Sequence, residues 1–218
     1  MGAITRSIAN NITTSGVFTS SAIANSSVTG ITALANASDG ITLISSQTAS
    51  ASASLSFTTG IDSTYKAYKF VFVNIHPATD GVEFQFNLST DSGSNYNVTK
   101  TTTLFDSAHN EAGTDARIAY DTSRDLAQST AFQSFGGNVP IGNDNDQSLN
   151  GSLIIFNPSS TTYVKHFIAT TNHYGDANYS LEVFLAGYGN TTSAVNAIQF
   201  KMTSGNIDAG TIYLYGIK

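Results

Sequence analysis

Four histidines, fifteen acids and ten tyrosines are the side chains of this chain best placed to do chemistry. The histidines, His76, His109, His166 and His173, are scattered along it. Nucleophilic catalysis needs a serine or cysteine beside a base that a third group orients. The chain has no cysteine, and no serine stands in such a setting. The Gly-x-Ser-x-Gly, Gly-x-x-x-x-Gly-Lys-Ser/Thr and His-Glu-x-x-His patterns do not occur. His109-Asn110-Glu111 is too short and local to orient a nucleophile. His166, between Lys165 and Phe167 in an apolar run, reads as a hydrogen-bonded structural histidine. Glycoside hydrolysis needs two carboxylates about 5–9.5 Å apart, and no pair among the fifteen acids is singled out by its pattern. The expectation is a protein that is not an enzyme, with no catalytic residue and no cofactor.

Binding chemistry is better represented. Asp144-Asn145-Asp146 is the densest run of oxygen donors, the type that calcium takes on a turn. It lacks the twelfth-position glutamate of the EF-hand pattern, so the expectation is a solvated turn and no metal. Ten tyrosines stand beside no tryptophan at all. Tyr96, Tyr174, Tyr179 and Tyr188 adjoin turn sequences, where a ring can stack on a sugar, fill a protein contact, or simply cap a β core.

These groups need a scaffold, and from Ile41 onward the pattern is strand after strand. ITLISSQT, SASLSFT, YKAYKFVFVNI, VEFQFNLST, SLNGSLIIF, YVKHFIATTNHY, YSLEVFLAGY, VNAIQFKM and TIYLYGI are rich in β-branched and aromatic residues. Alternation predicts Phe84, Phe86 and Leu88 inward with Glu83, Gln85 and Asn87 outward, and Ile198, Phe200 and Met202 inward. Phe70–Val73 and Leu153–Phe156 are apolar throughout and read as central or doubly covered strands. Turn signals separate the runs at His76–Gly81, Asp91–Asn95, Gly142–Asp146, Phe156–Thr161, Tyr174–Asn178 and Ser204–Asn206. Eight to ten strands, with one helix-like stretch at most near Arg117–Gln128, predict an all-β, antiparallel two-sheet sandwich of jelly-roll type over residues 41–218. The closing strand is apolar on both faces, through Ile212 and Leu214 on one side and Tyr213, Tyr215 and Ile217 on the other. It is expected inside a sheet, or packed against a second copy.

Residues 1–40 differ. Up to Ile61 only Arg6 and Asp39 carry charge, and Ser, Thr, Ala, Asn and Gly are studded with spaced aliphatics. Disordered tails usually carry high net charge; this segment does not. We read it as an extended N-terminal assembly arm, with Ile4, Ile8 and Ile12 on one face of a short helix and Phe18 beyond the turn at Thr13–Gly16. Over the whole chain, charged residues are 11% and net charge is -6, against about 25% charged in an ordinary domain. An acidic chain with so few cations is not expected to bind nucleic acid. No run of about 18 apolar residues suggests a membrane span. Nothing at the N-terminus has the apolar core of a secretory signal. The eight Asn-x-Ser/Thr sequons, Asn87, Asn97, Asn178 and Asn190 among them, then read as a by-product of composition.

With AITRSIANNITTSG at the start, the HPATDG and NDNDQS turns, FNPSSTTYVKHF, and the ending SGNIDAGTIYLYGIK, the chain resembles a family of short bacteriophage virion proteins of tail-fibre, appendage or capsid-decoration type. The most specific element is the final strand, Gly-x-Ile-x-x-Gly-Thr-Ile-x-Leu-Tyr-Gly-Ile, here Gly205 through Ile217. The resemblance implies a compact β domain on the outside of the virion, joined to other phage proteins through its N-terminal segment and commonly a homotrimer. A fibre tip would contact a host surface glycan through its turns, which makes Asp80, Tyr96, Asp144, Asp146, Tyr174 and Asp176 the candidate contact residues. A capsid decoration protein would stabilise the shell and recognise no receptor. A polysaccharide depolymerase on the same scaffold is the enzymatic alternative. No catalytic residues come with the resemblance.

Overall fold

A computed structural model describes residues 40–218. The expected arm, with Ile4, Ile8, Ile12 and Phe18, lies outside the described residues. Twelve strands follow one another: β1 (Ile41–Thr48), β2 (Leu55–Phe57), β3 (Ala67–Pro77), β4 (Phe84–Ser89), β5 (Lys100–Asn110), β6 (Ala116–Tyr120), β7 (Gln133–Ser134), β8 (Leu149–Phe156), β9 (Lys165–Gly175), β10 (Tyr179–Gly189), β11 (Ala197–Met202) and β12 (Ile207–Ile217). They form an eight-stranded sheet in the order β1-β12-β3-β8-β9-β10-β5-β6 and a four-stranded sheet in the order β2-β11-β4-β7. Every pairing is antiparallel. The fold is the expected all-β two-sheet sandwich.

Its topology is that of a jelly roll with two insertions. Without β5, β6, β9 and β10, the remaining eight strands, counted in chain order, stand 1-8-3-6 in one sheet and 2-7-4-5 in the other, the double Greek key of a jelly roll. The hairpins β5–β6 and β9–β10 both add to the free side of β8 and double the width of that sheet. The closing strand β12 is internal, paired with β1 on one side and β3 on the other.

The core lies between the sheets and is built from phenylalanine. Phe57, Phe70, Phe72, Phe84, Phe86, Phe135, Phe167 and Phe200 are all buried. Phe72 meets Phe84, Phe135 and Phe200 at centroid distances of 5.1–5.3 Å, the offset and edge-on contacts that aromatic quadrupoles prefer. Each such ring contributes about 1.5–3 kcal/mol by leaving water, so this cluster dominates the affinity of the two sheets for one another. Phe84, Phe86 and Leu88 point inward, as do Ile198, Phe200 and Met202, in line with the alternation.

Several expectations change. Asn87 is fully buried, not outward, because the segments at Tyr96 and Thr130 close over it and accept its amide protons. The stretch near Arg117–Gln128 contains strand β6 and no helix. Phe70–Val73 and Leu153–Phe156 are central strands, but one face only is covered. Phe70, Phe72, Leu153 and Ile155 are buried, while Val73 is 38% and Phe156 41% exposed. All six turn signals mark connections between strands, those at His76, Phe156 and Tyr174 beginning in the last residues of β3, β8 and β9.

Candidate interaction surfaces

Three features stand out on this scaffold: a loop-built end, a pair of buried lysines, and the outer face of the wide sheet.

Strand register sorts the candidate loops. Pro77 faces Ile207, Leu149 faces His173, and Tyr179 faces Gly175 and Asn110. The loops holding Asp80, Asp144, Asp146 and Asp176, with Tyr174 in the last residues of β9, therefore gather at one end. Tyr96 precedes Lys100, which pairs with Gly189 at the far end of the same ladder, so it is at the opposite end and belongs to no common site with the others. At the loop end, Asp80 accepts the Asn143 N–H at 3.2 Å, and the Asp144 carbonyl lies 3.2 Å from His76 Nε2. Burial, reinforced by the neighbouring Asp80, pushes the Asp176 carboxyl above its ordinary range. The Asp144–Gln147 turn is organised by its own backbone and by Gln147, whose buried Oε1 accepts from Asp144 N at 2.9 Å. Among the described residues no three His, Asp or Glu side chains converge as metal ligands would. A polar hollow of about 410 Å³ opens here between His76, Asn74, Asn145, Asp146 and Asp208, and Tyr174 lines a second of about 240 Å³ with His109 and Glu111. Amides, carboxylates and an imidazole around an open hollow suit the hydroxyls of a sugar.

Histidine roles differ from expectation. His166 is exposed, with its ring 6.0 Å from Tyr188. The structural histidine is His173, buried on the inner face of β9 with Nε2 2.8 Å from the Val139 carbonyl. Burial holds its pKa below the usual value.

Lys100 and Lys165 face Gly189 from either side in one row of the sheet, and both are completely buried. Lys165 Nζ donates to the carbonyls of Ser160, Tyr163 and Thr191 at 2.6–3.2 Å, three acceptors for the three protons of an ammonium. Lys100 Nζ reaches two acceptors, Asn87 Oδ1 at 2.5 Å and Val98 O at 2.8 Å, the number a neutral amine can serve. Burial pushes its pKa down to about 7. Neither lysine was legible as an inward residue, because nothing in the local pattern distinguishes a lysine at a strand end from a solvated one.

The outer face of the eight-stranded sheet is the largest feature. Nine large apolar side chains are exposed on the described residues. All but Tyr163 project from this face, including Ile41 and Leu43 at the β1 edge and Ile118 and Tyr120 at the β6 edge. Phe105 and Phe184 stack there at 4.8 Å, and Tyr213 lies 6.4 Å from Tyr215. Within the paired register the outward charges are Lys69 and Glu182.

No family model matches the chain, and no curated protein matches it.

Proposed function

We propose that this chain is a structural protein of a bacteriophage particle, a self-associated and non-enzymatic tail appendage that carries its jelly-roll domain on the virion surface and meets host glycans with its loop-built end. The observation that carries this reading is an outer sheet face on which eight large apolar side chains are exposed among serine, threonine and asparagine, with Lys69 and Glu182 as the outward charges of the paired register. Such a face is suited to lie against protein and not against water. The likeness of the closing strand, Gly205 through Ile217, to phage virion proteins supports the same reading. So does the gathering of Asp80, Asp144, Asp146, Tyr174 and Asp176 around polar hollows at one end.

Gold-labelled antibody against the purified chain tests it on intact particles. A few labels at the tail are expected. Hundreds over the shell would make it a capsid decoration protein, and no label on any particle would remove the virion reading. The absence of new reducing ends after incubation with host capsule is the expected result for a protein without depolymerase activity.

A further inference from the structure

We infer that the outer face of the eight-stranded sheet is where copies of this chain meet, and that a hollow at Ala186–Gly187 receives an apolar side chain from the neighbouring copy. The inference deepens the self-association in the proposed function and does not depend on the virion itself.

The first argument is size. Eight strands about 4.8 Å apart and up to eleven residues long span a face of roughly 34 Å by 30 Å, on the order of 1,000 Å². A stable interface needs about 800 Å² from each partner, so one covered face suffices.

The second is charge. Lys69, opposite Tyr215, and Glu182, opposite Ser107, are the outward ionised groups in the paired register. One of each sign lets copies of the face complement one another in charge. A nucleic-acid partner would need a basic surface, and an anionic lipid surface would need a Lys/Arg-rich rim. Neither is present. Copies of the same face satisfy both requirements, apolar cover and one charge of each sign.

The third is relief. Ala186 and Gly187 leave a dent of about 370 Å³ among Phe156, His166, Ile168 and Tyr188. The outward member of the pair is Ala186, which stands between Thr103 and Ile168 and carries only a methyl group, so the face is low there. A dent ringed by aromatic and branched side chains is the form that interface anchors fill, and this one lies toward the Lys100–Gly189 end of the face. Ile118, 78% exposed at the β6 edge, is an aliphatic side chain of the right kind to be offered to it.

Light scattering of the purified full-length chain at micromolar concentration tests this. The expected result is an oligomer whose mass is a whole multiple of 22.9 kDa. Ile168→Asp at the dent and Ile118→Asp at the edge are each expected to weaken association by roughly 30-fold or more, with strand content by circular dichroism unchanged. Ser204→Asp, in a loop away from the face, is expected to leave the mass alone. Should Ile168→Asp fail to fold, Ile118→Asp decides. A wild-type monomer, or face variants with wild-type mass, overturns the inference, as does a monomer that instead cosediments with phosphatidylcholine vesicles. A monomer that still labels the tail would leave the virion reading standing and sink only this one.

Discussion

Two residues make sharp predictions at the smallest scale. Burial lowers the pKa of Lys100 in the fold to about 7, against 10.5 for the free side chain. Above about pH 7 the unfolded chain carries a proton there that the folded chain does not, so stability rises with pH up to about 10.5. Below about pH 7 both states are protonated and the dependence vanishes. Urea unfolding between about pH 8 and 9.5 should show stability climbing by up to about 1.4 kcal/mol per unit. Lys100→Met should reduce that slope, leaving the part that belongs to Lys165, whose pKa burial also lowers; an unchanged slope would place the charge elsewhere. Gly216 makes the second prediction. Its missing Cβ would stand 2.3–2.5 Å from the Tyr65 ring, so Gly216→Ala should cost about 1–3 kcal/mol by displacing that ring. Chemical denaturation measures it directly. The glycine in the Tyr-Gly-Ile ending is thus a packing requirement.

Strands carry the next level. Ile212 on β12 is fully buried between β1 and β3, so Ile212→Asp should cost several kcal/mol and leave little folded protein at ambient temperature. A native-like melting curve would contradict the internal position of the last strand. That strand was legible because its apolar residues fill both parities, as were β3, β4, β8 and β10. Strand β5 was not. Its inward row reads Lys100, Thr102, Leu104, Asp106 and Ala108, with a single large apolar member. Hydrogen bonds from Thr102 to Gln133 and from Asn138 to Asp106 do there what hydrophobic burial does elsewhere. Strand β7, two residues long, is too short to show a period at all. The candidate site was legible in part for a related reason. Turn chemistry marks loops by composition, but only register says which loops share an end, so Tyr96 was grouped with residues at the opposite pole.

On the scale of the whole molecule, two inserted hairpins convert a jelly roll into a sandwich with one sheet twice as wide as the other. The narrow sheet cannot extend the aromatic core beyond β7, and the inserted strands turn toward polar inner contacts at Lys100, Asp106 and His173. Outside, the same widening creates one broad face from Ile41 to Tyr120, on which exposed apolar side chains are interspersed with Ser152, Thr170, Asn172 and Thr103. The chain has no cysteine, so Ile168→Cys provides a unique attachment point for a spin label on this face. Pulsed dipolar spectroscopy on the labelled full-length chain should give a defined distance between labels on different copies, lost on dilution with unlabelled protein. A uniform background, with no distance between copies at any ratio of labelled to unlabelled chain, would contradict association through the sheet face.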